Sequence, residues 1–512
     1  MHSRDDLNCT RGYEFWLMKE AKKRNAKVKT YGLIWGAPGW INNQTGFYGA
    51  DLLEYQLSWL RCANDTHGVE VDWLGLWNER PDNFDYMKKL KKAISAAGFS
   101  TQIVIGDNRR FNAPATMQQY GHDPTFLDAF GACGIHYPCG RVCGEAMTNA
   151  GKACWASEDL WTQPTWGGAV CWATELNQNF ILSNMTSTLS WATLWSAYPN
   201  VEVFEGSGDA VSGDDFWGPG LLYAWQPWSG HYAIPPTVWA SAHSCQFSEV
   251  GWNMPFSGAG ALAAGGSYLT LLNPNSSEFS IVIETASAAC HRCRGFTNPA
   301  EVPQTLRIEV PSSLLDAAAT LAVWSTNETH QFEQLQPLQA VAGGNATADT
   351  LAFSMLVQPQ TLYTITSTTG QQKGEYPAPP ASAPFPRAWA DDFDSTSDES
   401  LGKFWSDQCG SFQVMPQIHY LGAPGHGKAL RQRVSVQPGV NSWNGNLKNP
   451  LTLLGDSNPR TNSYAHTSVS VSVRLPTPAV LPPDVLPTPR TGPPPSPPRF
   501  IAHPQYRIFG RG

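Results

Sequence analysis

The amino-acid sequence predicts a multidomain protein in which a parallel α/β barrel is followed by all-β structure. Over residues 1–250, short apolar strand-like runs alternate with helical stretches, the pattern of βαβ units and a parallel sheet. From Gly251 to Thr369 the apolar period changes to two and helical spacing disappears, as in a β-sandwich.

In the first region the strand candidates are Val28–Ile34, Val71–Trp77, Ile103–Asp107, Cys133–Tyr137, Ala153–Ser157 and Thr188–Leu194. Between them lie helix-like segments such as Asp85–Ala97, where Met87, Leu90 and Ile94 recur at helical spacing. Six strands are too few to close an eight-stranded barrel. In the second region Ser267–Leu272, Phe279–Glu284, Gln304–Val310 and Thr361–Thr366 read as strands. Residues 370–388 form a Pro-rich, extended linker, and 389–474 look like the opening of another β domain. The stretch 475–512 is dominated by Pro and Arg, buries no core and is expected to be disordered.

Hydrophobic residues make up 42% of the 512, enough for real cores. The net charge of −8 argues against nucleic acid, which needs a basic footprint. No apolar run approaches the roughly 20 residues that span a bilayer. The aromatic excess, with 21 Trp and 16 Tyr, is mostly packing, although aromatic faces also stack on sugars. The opening Met-His-Ser-Arg-Asp-Asp does not read as a secretory signal. Sequons at Asn8, Asn43, Asn64, Asn184, Asn275, Asn327 and Asn345 nevertheless point to the secretory route. The 11 cysteines are scattered, and the Cys139/Cys143 spacing has no His pair nearby to make a metal site.

Two segments carry chemistry, Trp73-Leu-Gly-Leu-Trp-Asn-Glu79-Arg80 and Cys154-Trp-Ala-Ser-Glu158-Asp159. Each is an apolar strand whose C-terminal end delivers a carboxylate, where barrel enzymes hold their catalytic groups. Glu158 ends the third strand after the one that Glu79 ends. Retaining glycosidases need two carboxyl groups about 5–5.5 Å apart, one as acid/base and one as nucleophile. Glu79 is the expected acid/base, with a raised pKa, and Glu158 the expected ionised nucleophile. Asn78 supplies an amide for a sugar hydroxyl. Asp159 is an alternative nucleophile, Asp72 and Asp107 read as structural, and His136 and Tyr137 fit either pocket lining or core packing. The sequence has no Gly-x-Ser-x-Gly and no phosphate loop.

At several longer motifs the chain resembles glycoside hydrolase family 59. These are Arg11–Asn25, Leu74–Arg80, Ser157-Glu-Asp159, Leu176-Asn-Gln-Asn179, Met185-Thr-Ser-Thr188 and Gln226-Pro-Trp-Ser-Gly-His-Tyr232. The resemblance runs from about residue 10 to about residue 465 and implies a catalytic (β/α)8 TIM barrel, a β-sandwich and a lectin-like jelly-roll domain. It implies Glu79 as acid/base, Glu158 as nucleophile, and substrate roles for Trp35, Asn78 and Trp191. It implies an active-site arginine from the sandwich, either Arg292 or Arg294, and a disulfide from Cys171 to Cys290 or Cys293. The implied reaction removes terminal β-galactose from galactosylceramide and related galactolipids without cofactor or metal. A saposin-type lipid-presenting partner and a lysosomal or secreted location follow from the same resemblance.

Counted against the family, the barrel here is N-terminally incomplete, with its first two strands missing, and the lectin-like domain is truncated. Phe216 falls where the family has a pocket tyrosine. These departures keep two alternatives in play: a glycan-binding remnant without catalysis, and a barrel glycosidase for other β-galactosides.

Overall fold

The computed structural model describes residues 4–41, 46–159, 164–195, 220–224, 227–286, 300–316, 318–341, 349–383, 385–386, 389–409, 411–416, 427–433 and 451–454. They fall in the first of two compact units, Met1–Asp456. The predicted disordered tail at 475–512 lies outside the described residues.

Six strands, β1 (Tyr31–Gly32), β2 (Trp73–Gly75), β3 (Gln102–Gly106), β4 (Ala132–His136), β5 (Ala153–Asp159) and β6 (Ser187–Ser190), pair in parallel in chain order. They coincide with the six runs read from the sequence. Seven helices precede or connect them: α1 (Glu14–Arg24), α2 (Ala50–Arg61), α3 (Phe84–Ala96), α4 (Ala113–Tyr120), α5 (Pro124–Ala129), α6 (Glu145–Asn149) and α7 (Trp166–Ile181). Helix α3 begins where the Asn83 side chain accepts the Tyr86 N–H at 2.9 Å, capping a free donor. It buries Tyr86, Met87, Leu90 and Ile94, one face at helical spacing, in the core around the sheet. Strands β3 and β4 are almost wholly buried, as expected for a parallel sheet covered on its faces.

The sheet packs closely where it approaches the site. A Cβ on Gly134 in β4 would meet Asp107 Oδ1 at 2.7 Å, so only glycine leaves room there. A disulfide that the cysteine spacing does not announce, Cys9–Cys62, closes a 53-residue separation and ties the segment before α1 to the end of α2. Cys139 is disulfide-bonded while Cys143 is a free buried thiol, so their spacing does not form a metal pair.

Beyond β6, β7 (Leu194–Trp195) pairs in parallel with β8 (Leu222–Tyr223), and α8 (Pro236–Cys245) lies against α7. The chain then becomes all-β. Strands β9 (Ala259–Ala261), β10 (Ser267–Leu272), β11 (Phe279–Glu284), β12 (Gln304–Pro311), β13 (Thr320–Thr326), β14 (Glu333–Gln339), β15 (Thr350–Val357) and β16 (Leu362–Thr366) follow. They form an antiparallel sheet ordered β14-β13-β16-β11-β10-β9 and a separate antiparallel β12–β15 pair. Phe279, Ile283, Leu321, Val323, Phe353, Val357 and Ile365 fill the core between them. Polar seams join this region to the barrel: Asn177 Nδ2 of α7 donates to Ser267 Oγ at 3.0 Å, and Ser267 in turn donates to Glu284. The pairs β17 (Trp405–Cys409) with β20 (Leu451–Leu454) and β18 (Phe412–Pro416) with β19 (Lys428–Gln432) are the described part of the last β region.

Candidate active site

The C-terminal ends of β2, β3 and β4 turn sharply. Glu79, Asp107 and Tyr137, each just beyond a strand, adopt φ of +50°, +42° and +47°. Left-handed backbone costs a non-glycine residue about 1–2 kcal/mol, and such residues gather where geometry serves function. Backbone hydrogen bonds hold these turns: Asn78 N–H donates to Ile34 O at 2.8 Å, Glu79 N–H to Asp107 O at 2.9 Å, and Tyr137 N–H to Glu158 O at 3.0 Å. Each strand end is thereby fastened to the next.

The result brings the two predicted carboxylates together. One oxygen of Glu79, one of Glu158 and a ring nitrogen of His136 all lie within 4.8 Å of one another. His136 Nδ1 stands 3.4 Å from Glu79 Oε1 and 3.7 Å from Glu158 Oε1, and its Nε2 stands 4.0 Å from Asp107 Oδ1. Side-chain exposure falls from 17% at Glu79 to 10% at Glu158 and 0% at His136, so the imidazole is the deepest of the three. Tyr137 donates its phenol to Glu158 Oε1, and Tyr31 donates to Asp107. Arg109 Nε lies 4.0 Å from Glu79 Oε1 at the rim.

Burial pushes Glu158 above the usual carboxylate range, against the pull of His136 and the Tyr137 hydrogen bond. Asp107 is likewise raised by burial, and Asp82, whose carboxylate accepts the Gly106 N–H at 2.7 Å, is pushed up to about 8. For His136, burial works to lower the pKa. The nearby carboxylates of Glu79, Glu158 and Asp107 outweigh it, and the net shift is upward.

The other predicted residues fall around this cluster. Asn78 is 1% exposed, and its Oδ1 has no hydrogen-bond partner among the described residues. Trp35 and Trp191 meet with ring centroids 5.6 Å apart. Asp159, the alternative nucleophile, is buried with Oδ2 accepting from Asn179 Nδ2 at 3.0 Å, a position fixed by α7. Arg292, Arg294, Cys290, Cys293 and Phe216 lie outside the described residues. Cys171 is disulfide-bonded.

Sequence reasoning left three contributors unassigned: Tyr31, Asp82 and Arg141. Arg141 braces the β4 turn, donating to His136 O at 2.6 Å, Tyr137 O at 2.8 Å and Pro138 O at 3.1 Å. Their only signal in the sequence is nearness to a strand end. Glu79, His136 and Glu158 are also the one group of three such residues among those described with ligand atoms this close. Tyr137 and the imidazole already engage these carboxylates, and no metal role is assigned to them.

Fold and paired carboxylates define a barrel glycoside hydrolase. The description Glycosyl hydrolase family 59 matches residues 1–246, and its central domain matches residues 256–372. Galactocerebrosidase of Danio rerio is 34% identical over 93% of this chain and 69% of its own length. That of Homo sapiens is 32% identical over 93% of this chain and 66% of its own. The chain thus spans about two thirds of the length of these relatives, and it belongs to glycosyl hydrolase family 59. Solved structures share the fold. The glycoside hydrolase family 30 subfamily 8 xylanase of Clostridium acetobutylicum superposes with TM-score 0.50 at 17% identity, covering 69% of this chain and 82% of that one. The catalytic domain of the family 30 xylanase C of Talaromyces cellulolyticus gives 0.51 at 14%, covering 69% and 79%.

Proposed function

We propose that this chain hydrolyses the terminal β-galactosyl linkage of galactosylceramide and related galactolipids with retention of configuration. One observation carries the mechanism: Glu79 and Glu158 bring carboxylate oxygens within 4.8 Å of each other. This proximity favours the retaining arrangement, whose carboxyl groups stand about 5–5.5 Å apart, over the wider inverting one at about 6.5–9.5 Å. The galactocerebrosidase relatives support the choice of sugar and aglycone.

On this reading a Glu158 oxygen attacks the anomeric carbon while Glu79 gives its proton to the glycosidic oxygen. The carbon–oxygen bond breaks and a galactosyl ester forms on Glu158. Glu79, now a carboxylate, takes a proton from water, whose oxygen attacks the same carbon as its bond to Glu158 breaks, releasing galactose and restoring the Glu158 carboxylate. Asn78 hydrogen-bonds the sugar 2-hydroxyl, and Trp35 and Trp191 wall the ring. Arg292 or Arg294 reaches the site from the sandwich, held by a bridge from Cys171 to Cys290 or Cys293. Strands β1 to β6 are the third to eighth of the family barrel, and residues 389–474 belong to a lectin-like jelly roll. A saposin-type lipid presenter and a lysosomal or secreted location complete the proposal, and the seven sequons fit that location.

The test is turnover of a fluorogenic β-galactoside and of galactosylceramide in detergent, against the matching β-glucoside. Galactoside turnover that disappears in Glu158→Gln supports the reading. Binding of galactoside without turnover in folded protein would replace it with a glycan-binding role.

A further inference from the structure

The proposed reaction moves a negative charge from one buried carboxylate to the other, and one group stands between them. His136 ends β4 with no exposed surface, its Nδ1 3.4 Å from Glu79 Oε1 and 3.7 Å from Glu158 Oε1. Neither ring nitrogen has a protein partner at hydrogen-bond geometry among the described residues. Such a group is costly unless the site uses it. We propose that His136 is a positioning residue, a fixed imidazolium whose Nδ1–H lies close to both Glu158 and Glu79 and stabilises whichever is charged. This inference rests on the roles proposed above for those two residues.

The charge balance requires no proton from His136. Before attack Glu158 is the anion and Glu79 is protonated. When the ester forms, Glu158 becomes neutral and Glu79, having protonated the leaving oxygen, becomes the anion. A cation nearly equidistant from both stabilises each state without reorganising, which is how fixed charge lowers a barrier in a site closed to water. The groups facing the ring make a cation tenable: Glu79, Glu158 and, behind Nε2 at 4.0 Å, Asp107. Asp107 is held in turn by the Tyr31 phenol. Of His136, Arg141 meets only the carbonyl, at 2.6 Å, and Arg109 meets Glu79 at 4.0 Å, so no second cation touches the ring in the described structure.

The test is the pH dependence of kcat/KM in His136→Gln and His136→Asn. Losing a cation beside a carboxylate moves its pKa upward by about 1–3 units. The acidic limb, which reports ionisation of Glu158 in the free enzyme, should therefore shift upward by about one unit or more. kcat should fall about 100-fold, the scale for removing one preorganised donor, with KM changed far less. A limb that overlays the parent's would overturn the inference, because a purely structural residue lowers kcat without moving it. Should the variants not fold, the unsubstituted protein decides. Ring-nitrogen spectra of labelled histidine should show one doubly protonated ring persisting above the ordinary histidine range and shifting in Glu158→Gln; no such ring contradicts the idea. Retained turnover in Glu158→Gln would instead remove the underlying reading.

Discussion

Tyr137 grips Glu158 twice: its backbone N–H donates to the Glu158 carbonyl at 3.0 Å, and its phenol donates to Glu158 Oε1. The left-handed turn at Tyr137 makes both contacts available from one residue. It fixes the carboxylate's orientation and helps keep it ionised against the burial that raises its pKa.

Tyr137→Phe keeps the ring and deletes the phenol. A hydrogen bond to a charged group contributes about 1.5–3 kcal/mol. Glycosyl-enzyme formation should slow roughly 10- to 100-fold by that energy, and the acidic limb of kcat/KM should move up. Stopped-flow kinetics with a fluorogenic substrate of good leaving group measures both. Unchanged kinetics would show that the phenol does not act on Glu158.

Trp35 and Trp191 touch, with ring centroids 5.6 Å apart, so each supports the other. Trp191→Ala should raise KM about tenfold or more, since a buried aromatic face contributes on the order of 1–3 kcal/mol. kcat should change less. A titration that finds KM unaltered would place these rings outside the sugar pocket.

The fold should be more stable in mild acid than above neutrality. Burial pushes Asp82 and Glu284 up to about 8, so the folded state holds protons that the unfolded chain has released above its ordinary carboxylate range. That stability is complete below about pH 4 and is lost as pH rises through about 8. His243, lowered by burial to about 3, opposes this below the ordinary histidine range, but one group does not cancel two. Below about pH 4, Asp72 also works the other way. Its carboxylate, hydrogen-bonded to Lys29 and Lys22, is held down at about 2 despite the opposing burial, and its contribution disappears as pH falls through that value. Calorimetric Tm should therefore peak in the mildly acidic range and fall toward pH 8; a rise over that interval would contradict it.

Leu90→Ala should destabilise the barrel by about 2–5 kcal/mol, because Leu90 is fully buried on the face of α3 that meets the sheet. Asn83→Ala, which removes the cap bond to Tyr86 N–H, should cost about 1 kcal/mol. Urea unfolding separates the two, and equal losses would mean the core there is loosely packed.

Much of this arrangement is legible in the sequence. The six parallel strands and the change to period two carry strong local signals, because each buried run is bounded by polar turns. Glu79 and Glu158 announce themselves as carboxylates at the ends of apolar strands. The parts that stay hidden are those set by neighbours across the sheet. His136 and Tyr137 fit lining or packing equally until the β4 turn is seen to aim both at Glu158. Asp107 reads as structural, yet its carbonyl anchors Glu79 and its carboxylate backs His136. Arg141, five residues beyond His136, shows its purpose only when the chain folds back on the turn. The Cys9–Cys62 bridge has the same character, since a sequence separation of 53 erases any spacing signal.

The most direct measurement is mass spectrometry of the protein after exposure to a slow, mechanism-based galactosyl fluoride that traps the covalent intermediate. One galactosyl adduct is expected, carried by Glu158, absent from Glu158→Gln and forming more slowly in Tyr137→Phe. An adduct on Asp159 or on another residue, or turnover that persists in Glu158→Gln, would contradict it.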